Sequence, residues 1–209
     1  MIESIVQRLK KIFQGDAAPV PSAHHDHLYN GGSELLYPYL GMGSGPPQPV
    51  TSQADRDCLE NGITMLAEVV ADNPANWPAL WLLAQAHDLL GDPLMAYTQY
   101  RKALDVNPGN ADLMAGMAWQ SLCLNRRDEA DQQIRSALGV RTGDARFLTL
   151  LAASQLLGGK TESATATLAE AQLGKTRDRR TLALRSAIAA VLAGDRRTPL
   201  AATDLLDDD

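Results

Sequence analysis

Residues 91–110 read GDPLMAYTQYRKALDVNPGN. The turn signal Gly91-Asp92 precedes a segment whose small and apolar residues are spaced as on one face of a helix, and Asn107-Pro108 ends that segment. Four of these positions recur at intervals of 34 residues: Gly91, Ala96, Ala103 and Leu104 are followed by Asn125, Ala130, Ala137 and Leu138, and then by Gly159, Ala164, Ala171 and Gln172. A fixed period of this length predicts a repeat of helix A, a turn and helix B.

The positions of the repeats divide the chain into four segments. We expect an amphipathic helix over residues 1–14, a Pro/Gly/Tyr-rich, loop-like linker over 15–53, a repeat domain over 54–194 and an acidic tail over 195–209 that is frayed from residue 203. The repeat domain is predicted to hold a half repeat (helix 54–71), three full repeats with turns at Gly91, Asn125 and Gly159, and a capping helix over 179–193. The period thus predicts an all-α chain.

The unit that starts at Trp77 resembles the tetratricopeptide repeat family. The matching residues are Leu80, Leu83-Ala84, Gly91, Ala96, Tyr100, Ala103 and Pro108. The resemblance implies a right-handed α-α superhelix of stacked helix-turn-helix repeats, here with an N-terminal extension. It also implies a module for protein-protein interaction, whose concave surface is lined by the A helices.

In that register, the second, fifth, sixth, ninth, twelfth and thirteenth residues of each unit face the groove. The candidate partner-binding residues are Trp81, Leu82, Gln85, Asp88, Leu89, Asp112, Trp119, Leu122, Leu150 and Leu156. This apolar groove predicts an extended or helical partner segment with apolar anchors, and it lacks the Lys, Asn and Arg that the chaperone-tail-binding subfamily uses. The alternative is that Trp81 and Trp119 pack between repeats or lie under the chain's own segments.

Two apolar segments precede the repeats. Ile2, Ile5, Leu9 and Phe13 form one face of the first helix, and they are a candidate second contact with a protein or a membrane surface. The second segment contains Tyr29, Leu36, Tyr37, Tyr39 and Leu40, and it is too apolar for a solvated linker. We expect it to be ordered against the folded protein along the groove, where it competes with a partner; a partner or a second copy of the chain is the alternative cover.

The composition argues against several functions. A net charge of −6 disfavours nucleic-acid binding, and no apolar run reaches the roughly 20 residues that cross a bilayer. Cys58 and Cys123 fall inside predicted helices, which fits thiols in a reducing compartment. The expected location is cytoplasmic, with the alternative of a peripheral position at the inner membrane.

We find no sequence signature of catalysis: phosphate loop, nucleophile elbow and paired carboxylates with a cleft are all lacking. The cluster His24-His25-Asp26-His27 favours a solvated loop, because adjacent loop residues do not converge on a metal. We therefore expect no enzyme activity, cofactor or metal, and a metal-dependent enzyme or sensor at this cluster is the opposing hypothesis.

The sequence as a whole predicts a noncatalytic adaptor or scaffold that binds protein partners. A secretion-type chaperone for a hydrophobic client and a membrane-associated assembly factor that uses the N-terminal helix are the alternatives. Homo-oligomerisation also stays open.

Overall fold

The computed structural model describes residues 23–42, 46–176, 178–195 and 202–205, and all regular structure within them is helical. In chain order the elements are α1 Ala23–Leu40, α2 Gln53–Asp72, α3 Trp77–Leu89, α4 Pro93–Val106, α5 Ala111–Cys123, α6 Arg127–Val140, α7 Ala145–Leu157, α8 Thr161–Leu173, α9 Arg179–Ala193 and a 3₁₀ turn Thr203–Leu205. The chain divides into two compact units, unit 1 (Met1–Asp92) and unit 2 (Pro93–Asp209). The predicted all-α repeat fold is confirmed, whereas the helix predicted over residues 1–14 lies outside the described residues.

The turns inside the repeats share one backbone conformation. Gly91, Asn125 and Gly159 have φ angles of 76°, 58° and 74°, in the left-handed region that glycine and asparagine tolerate best. Their spacing is the 34-residue period of the sequence. These three residues therefore end each helix A with the same backbone conformation.

Small residues allow the helices of unit 2 to pack closely. Ala96, Ala130 and Ala164, which occupy one repeat position, are completely buried, and so are Ala103, Ala137 and Ala171 at a second position. Between α4 and α5 the approach is closer still, since a Cβ atom on Gly116 would lie 2.4 Å from ring carbons of Tyr100. A larger side chain at such a contact would push the helices apart.

In unit 1 the helices α1 and α2 form an antiparallel pair. His25 Nε2 lies 2.6 Å from Asp72 Oδ2 near one end of the pair, and the Tyr39 hydroxyl donates to Asp55 Oδ1 at 3.0 Å near the other end. The prediction of a loop-like linker is therefore wrong for residues 23–40, and α2 is preceded by a packed helix rather than standing as a half repeat.

A close crossing of two glycines explains this difference. A Cβ atom on Gly32 would lie 2.9 Å from Leu66 Cγ and 3.1 Å from the Gly62 carbonyl oxygen. Because glycine has a low helix propensity, the sequence predicted a loop around Gly32. In the structure, the glycines let the backbones of α1 and α2 approach, and the packing of the two helices outweighs the low propensity. Pro38 lies in the last turn of α1, and Gly41 follows the helix with a φ of 67°.

The N-terminus of α2 is capped by side chains that also hold α1. Ser52 Oγ accepts a hydrogen bond from the Asp55 amide, while the Ser52 amide donates to Asp55 Oδ2 at 2.8 Å, which completes a capping box. Hydrogen bonds from Ser52, Thr51 and Tyr39 hold the pKa of Asp55 well below its usual range. Burial and the bond to Asp55 raise the pKa of Tyr39 to about 12.

Candidate functional site

The predicted groove residues of α3 fall into two groups. Trp81, Gln85, Asp88 and Leu89 are half-buried, whereas Leu82 is completely buried. Leu82 belongs to the core cluster of unit 1, together with Leu36 and Leu59 of the first two helices, and Trp81 and Leu89 pack against the edge of that cluster. The partly accessible face of α3 thus consists of Trp81, Gln85, Asp88 and Leu89, which we call the α3 face.

The sixth position of the repeat differs in burial from one unit to the next. Leu82 occupies this position in its repeat, and Gly116, the equivalent residue of α5, is directed at the ring of Tyr100. Leu82 therefore does not line the groove as predicted, because it packs in the core cluster of unit 1, whereas Gly116 and Leu150 at the same repeat position are half-buried.

In unit 2 the equivalent residues are mostly covered. Trp119 is 5% exposed, Leu122 3% and Leu156 1%, and all three belong to one core cluster of unit 2. Leu150 is half-buried and packs against the edge of the same cluster. This cluster also contains Ala202 and Leu205 from the C-terminal end of the described chain.

Trp119 has a further neighbour from α9. The guanidinium carbon of Arg180 lies 5.6 Å from the centroid of the Trp119 ring, within the distance of a cation–π contact. The structure places Trp119 inside unit 2 and not on an open surface.

Asp112 lies in an ion cluster. Its Oδ1 atom is 2.6 Å from Arg141 Nη2 and 3.0 Å from Arg146 Nη1. The two arginines also flank the buried ring of Phe147, with guanidinium carbons 4.7 Å and 5.3 Å from its centroid. Asp112 therefore links the start of α5 to the start of α7, and its charge is already compensated.

Asp144 extends this cluster. Its Oδ2 atom is 3.0 Å from Arg146 Nη2, and its Oδ1 atom accepts from the Arg146 amide as the N-cap of α7. Burial alone would raise the pKa of Asp144, but the hydrogen bonds and charge of Arg146 outweigh it, so the pKa lies below its usual range. The same bonds outweigh burial at Arg146 and raise its pKa. This arrangement stabilises a helix start and is not built for proton transfer.

The apolar segment that the sequence analysis assigned to the linker is part of α1. Leu36 and Tyr39 are buried in the core cluster of unit 1, and Tyr29 and Leu40 pack against it, while Tyr37 is half-buried. Burial raises the pKa of Tyr29 and, to a smaller extent, that of Tyr37. The segment is ordered against folded protein, as expected, but as an integral helix of unit 1.

The histidine cluster also lies on α1 and not on a loop. His24 and His27 are exposed, and His25 pairs with Asp72 of α2. Among the described residues, no three His, Cys, Asp or Glu side chains are grouped to share a metal ion. Both cysteines lie in helices as predicted, Cys58 in α2 and Cys123 in α5, and each is a half-buried thiol that forms no disulfide.

Two features of unit 2 were missed by the sequence analysis. The sequence analysis assigned no contact to Arg185, yet its Nε donates to Thr149 Oγ1 at 3.0 Å and its Nη2 to the Ala145 carbonyl oxygen at 3.3 Å. Burial lowers the pKa of Arg185. Leu205 was placed in a frayed tail, yet it is only 1% exposed; the apolar residues within residues 200–206 were the available signal.

Comparison with solved structures places the helical pairs in a known fold. A MamA crystal structure aligns with a TM-score of 0.59 at 12% identity, covering 87% of this chain and 87% of that chain. TTC0263, described as a thermophilic TPR protein in Thermus thermophilus, aligns with a TM-score of 0.58 at 21% identity, covering 92% of this chain and 89% of that one. The chain has the tetratricopeptide-repeat fold. No protein-family model and no curated protein sequence matches it.

The tetratricopeptide-repeat fold accounts for the repeated turns and buried alanines, but a likeness at this level of identity shows the fold alone. Ile2, Ile5, Leu9 and Phe13, the candidate second contact, lie outside the described residues and stay a prediction. None of the helices in the described part of the chain is long and apolar enough to cross a membrane.

Proposed function

We propose that this chain is a noncatalytic scaffold that binds a protein partner through the α3 face. The observation that carries the proposal is the partial exposure of Trp81, Gln85, Asp88 and Leu89 along one side of a helix A. Their spacing of four, three and one residues places them on one face of the helix. Tryptophan beside polar residues is typical of protein interfaces, since the indole supplies contact area and the polar groups fix the register.

In unit 2, one predicted groove residue is already engaged within the fold. Asp112 pairs with two arginines of the same unit. The α3 face has a polar centre at Gln85 and Asp88 between the apolar Trp81 and Leu89. A partner segment with apolar anchors and a few polar groups would match this pattern.

Quantitative co-purification from the native source with the full-length chain tests this function. Gln85→Arg adds a charge and bulk to the centre of the α3 face and should lower recovery of a bound partner about tenfold or more, which corresponds to about 1.4 kcal/mol. Gln132→Arg, at an exposed position of α6, is the matched control and should leave recovery unchanged. Equal recovery with both variants would show that the partner does not use the α3 face.

A further inference from the structure

The C-terminal end of the described chain packs into unit 2 as a short segment. Residues 203–205 form a 3₁₀ turn that contacts α9, in which the Leu205 amide donates to the Ala202 carbonyl oxygen at 3.2 Å. Ala202 and Leu205 are 0% and 1% exposed, whereas Thr203 is exposed. The segment therefore presents its apolar side chains to the folded unit and a polar side chain to solvent.

The segment shares its core cluster with residues at equivalent positions of successive repeats. Trp119 and Ala153 are 34 residues apart, and so are Leu122 and Leu156. All four share a core cluster with Ala202 and Leu205. They are the ninth and twelfth residues of their units, the positions at which helix A is expected to face the groove. The C-terminal segment thus belongs to the same core cluster as the residues that correspond to Gln85 and Asp88 on the α3 face.

We infer that this surface of unit 2, formed by Trp119, Leu122, Ala153 and Leu156, is a binding site for short acidic peptide segments with a leucine anchor, and that residues 202–205 are its resting occupant. The segment supplies the chemistry: its sequence from Ala202 onwards is ATDLLDDD, one buried leucine in an acidic context. The helix that it contacts carries charge of the opposite sign in its first turn, in Arg179 and Arg180. This inference rests on the proposed protein-binding function, and it gives that function a second surface and a partner chemistry.

Residues 202–205 form a short element that a partner segment can displace from the site. A three-residue 3₁₀ turn is short and has weaker hydrogen-bond geometry than an α-helix. The apparent affinity for a partner is the intrinsic affinity multiplied by the fraction of molecules in which the site is open. A resting occupant from the same chain reduces that fraction and therefore the apparent affinity. A change that removes the leucine anchor should therefore increase the affinity for a peptide added from outside.

The probe is a fluorescent peptide with the sequence PLAATDLLDDD, residues 199–209 of this chain. Its binding to the full-length protein is measured by anisotropy for the wild type, for Leu205→Asp and for Thr203→Ala, which changes an exposed residue of the same turn. We expect Leu205→Asp to bind the peptide at least about tenfold more tightly than the wild type, because the site is then open in most molecules. Thr203→Ala should bind as the wild type does, and the peptide that itself carries Leu205→Asp should not bind.

The inference is overturned if a Leu205→Asp protein with wild-type helical circular dichroism binds no peptide, or binds it no better than the wild type. Should that variant unfold, Leu205→Ala takes its place, and amide exchange on the wild type gives an independent result. In the exchange experiment, excess peptide should accelerate hydrogen exchange of the Leu205 amide. An unchanged exchange rate of this amide overturns the inference. A wild-type dimer that dissociates with Leu205→Asp would show that the segment occupies a second copy and would equally overturn it. The proposed function fails separately, through the Gln85 variant.

Discussion

The guanidinium of Arg180 lies over the indole ring of Trp119, with 5.6 Å between the guanidinium carbon and the ring centroid. Arg180 comes from the first turn of α9 and Trp119 from the middle of α5. The ring is only 5% exposed, so this contact and the surrounding apolar side chains remove Trp119 from solvent. From the sequence, Trp119 was a candidate groove residue, with packing between repeats as the alternative, and the structure makes Trp119 part of the unit 2 core.

Trp119→Ala should destabilise the fold strongly. Removing a buried tryptophan side chain typically lowers the free energy of unfolding by about 3–5 kcal/mol. Trp81→Ala removes a half-buried ring and should cost clearly less. Urea unfolding of both variants compares them, and a Trp119→Ala protein as stable as Trp81→Ala would contradict the burial of Trp119. For the same reason, only Trp81 suits a test of partner binding by truncation.

Gly116→Ala should also destabilise unit 2. The added Cβ would lie 2.4 Å from ring carbons of Tyr100, so α4 and α5 must move apart. Overpacking of this kind typically costs about 1–3 kcal/mol. Gly139→Ala is the control, since its Cβ meets nothing within 4 Å and lies in helix α6. There alanine should stabilise the protein by about 0.5–1 kcal/mol through helix propensity. Melting temperatures that move in the same direction for both variants would refute the close contact.

Ala164→Trp tests the repeat register in α8. Ala164 is completely buried, whereas Ala166, two residues further along the same helix, is exposed. An indole at Ala164 should lower the free energy of unfolding by about 1–3 kcal/mol or more, because the helices cannot accommodate it. Ala166→Trp should change it by less than about 0.5 kcal/mol, as surface substitutions usually do. Chemical denaturation gives both values, and similar losses would show that the register is shifted.

Asp55 should make the stability of the protein depend on acid. Its pKa in the folded protein is depressed by the hydrogen bonds from Ser52, Thr51 and Tyr39, so its stabilising effect is complete above the unfolded pKa of about 3.9. This stabilisation is lost as the pH falls from that value towards the folded pKa. Asp55→Asn should therefore flatten the decline of stability between about pH 5 and pH 2. Asp105→Asn, at an exposed position of α4, controls for the loss of one charge. An unchanged acid profile in Asp55→Asn would contradict the capping contacts.

Much of the repeat domain could be predicted because its signals are local. The 34-residue period fixed the turn positions Gly91, Asn125 and Gly159, and the first residue of α9 was predicted correctly as residue 179. The alanines at Ala96, Ala130 and Ala164 are buried as their spacing indicated.

The errors concern contacts between distant parts of the sequence. Gly32 looks like a helix breaker until Gly62 and Leu66 are placed against it. Leu205 looks like part of a solvated tail until its burial in unit 2 is known. The position of Leu82 in the repeat was likewise known, but its orientation depends on the helices that pack around it. Tertiary packing determined the conformation or burial of each of these residues, and a local sequence pattern does not reveal that packing.

Site-specific photo-crosslinking is the most direct test of the central claim, that a helix A face binds the partner. A photoreactive side chain is introduced in place of Gln85 on the α3 face, and separately in place of Lys102, an exposed residue of α4, in the full-length chain expressed in its native cell. The account predicts a discrete crosslinked protein from the Gln85 position, lost when an excess of the unlabelled wild-type chain competes, and no such product from the Lys102 position. Crosslinks from Lys102 alone, or equal and uncompeted crosslinks from both positions, would contradict it.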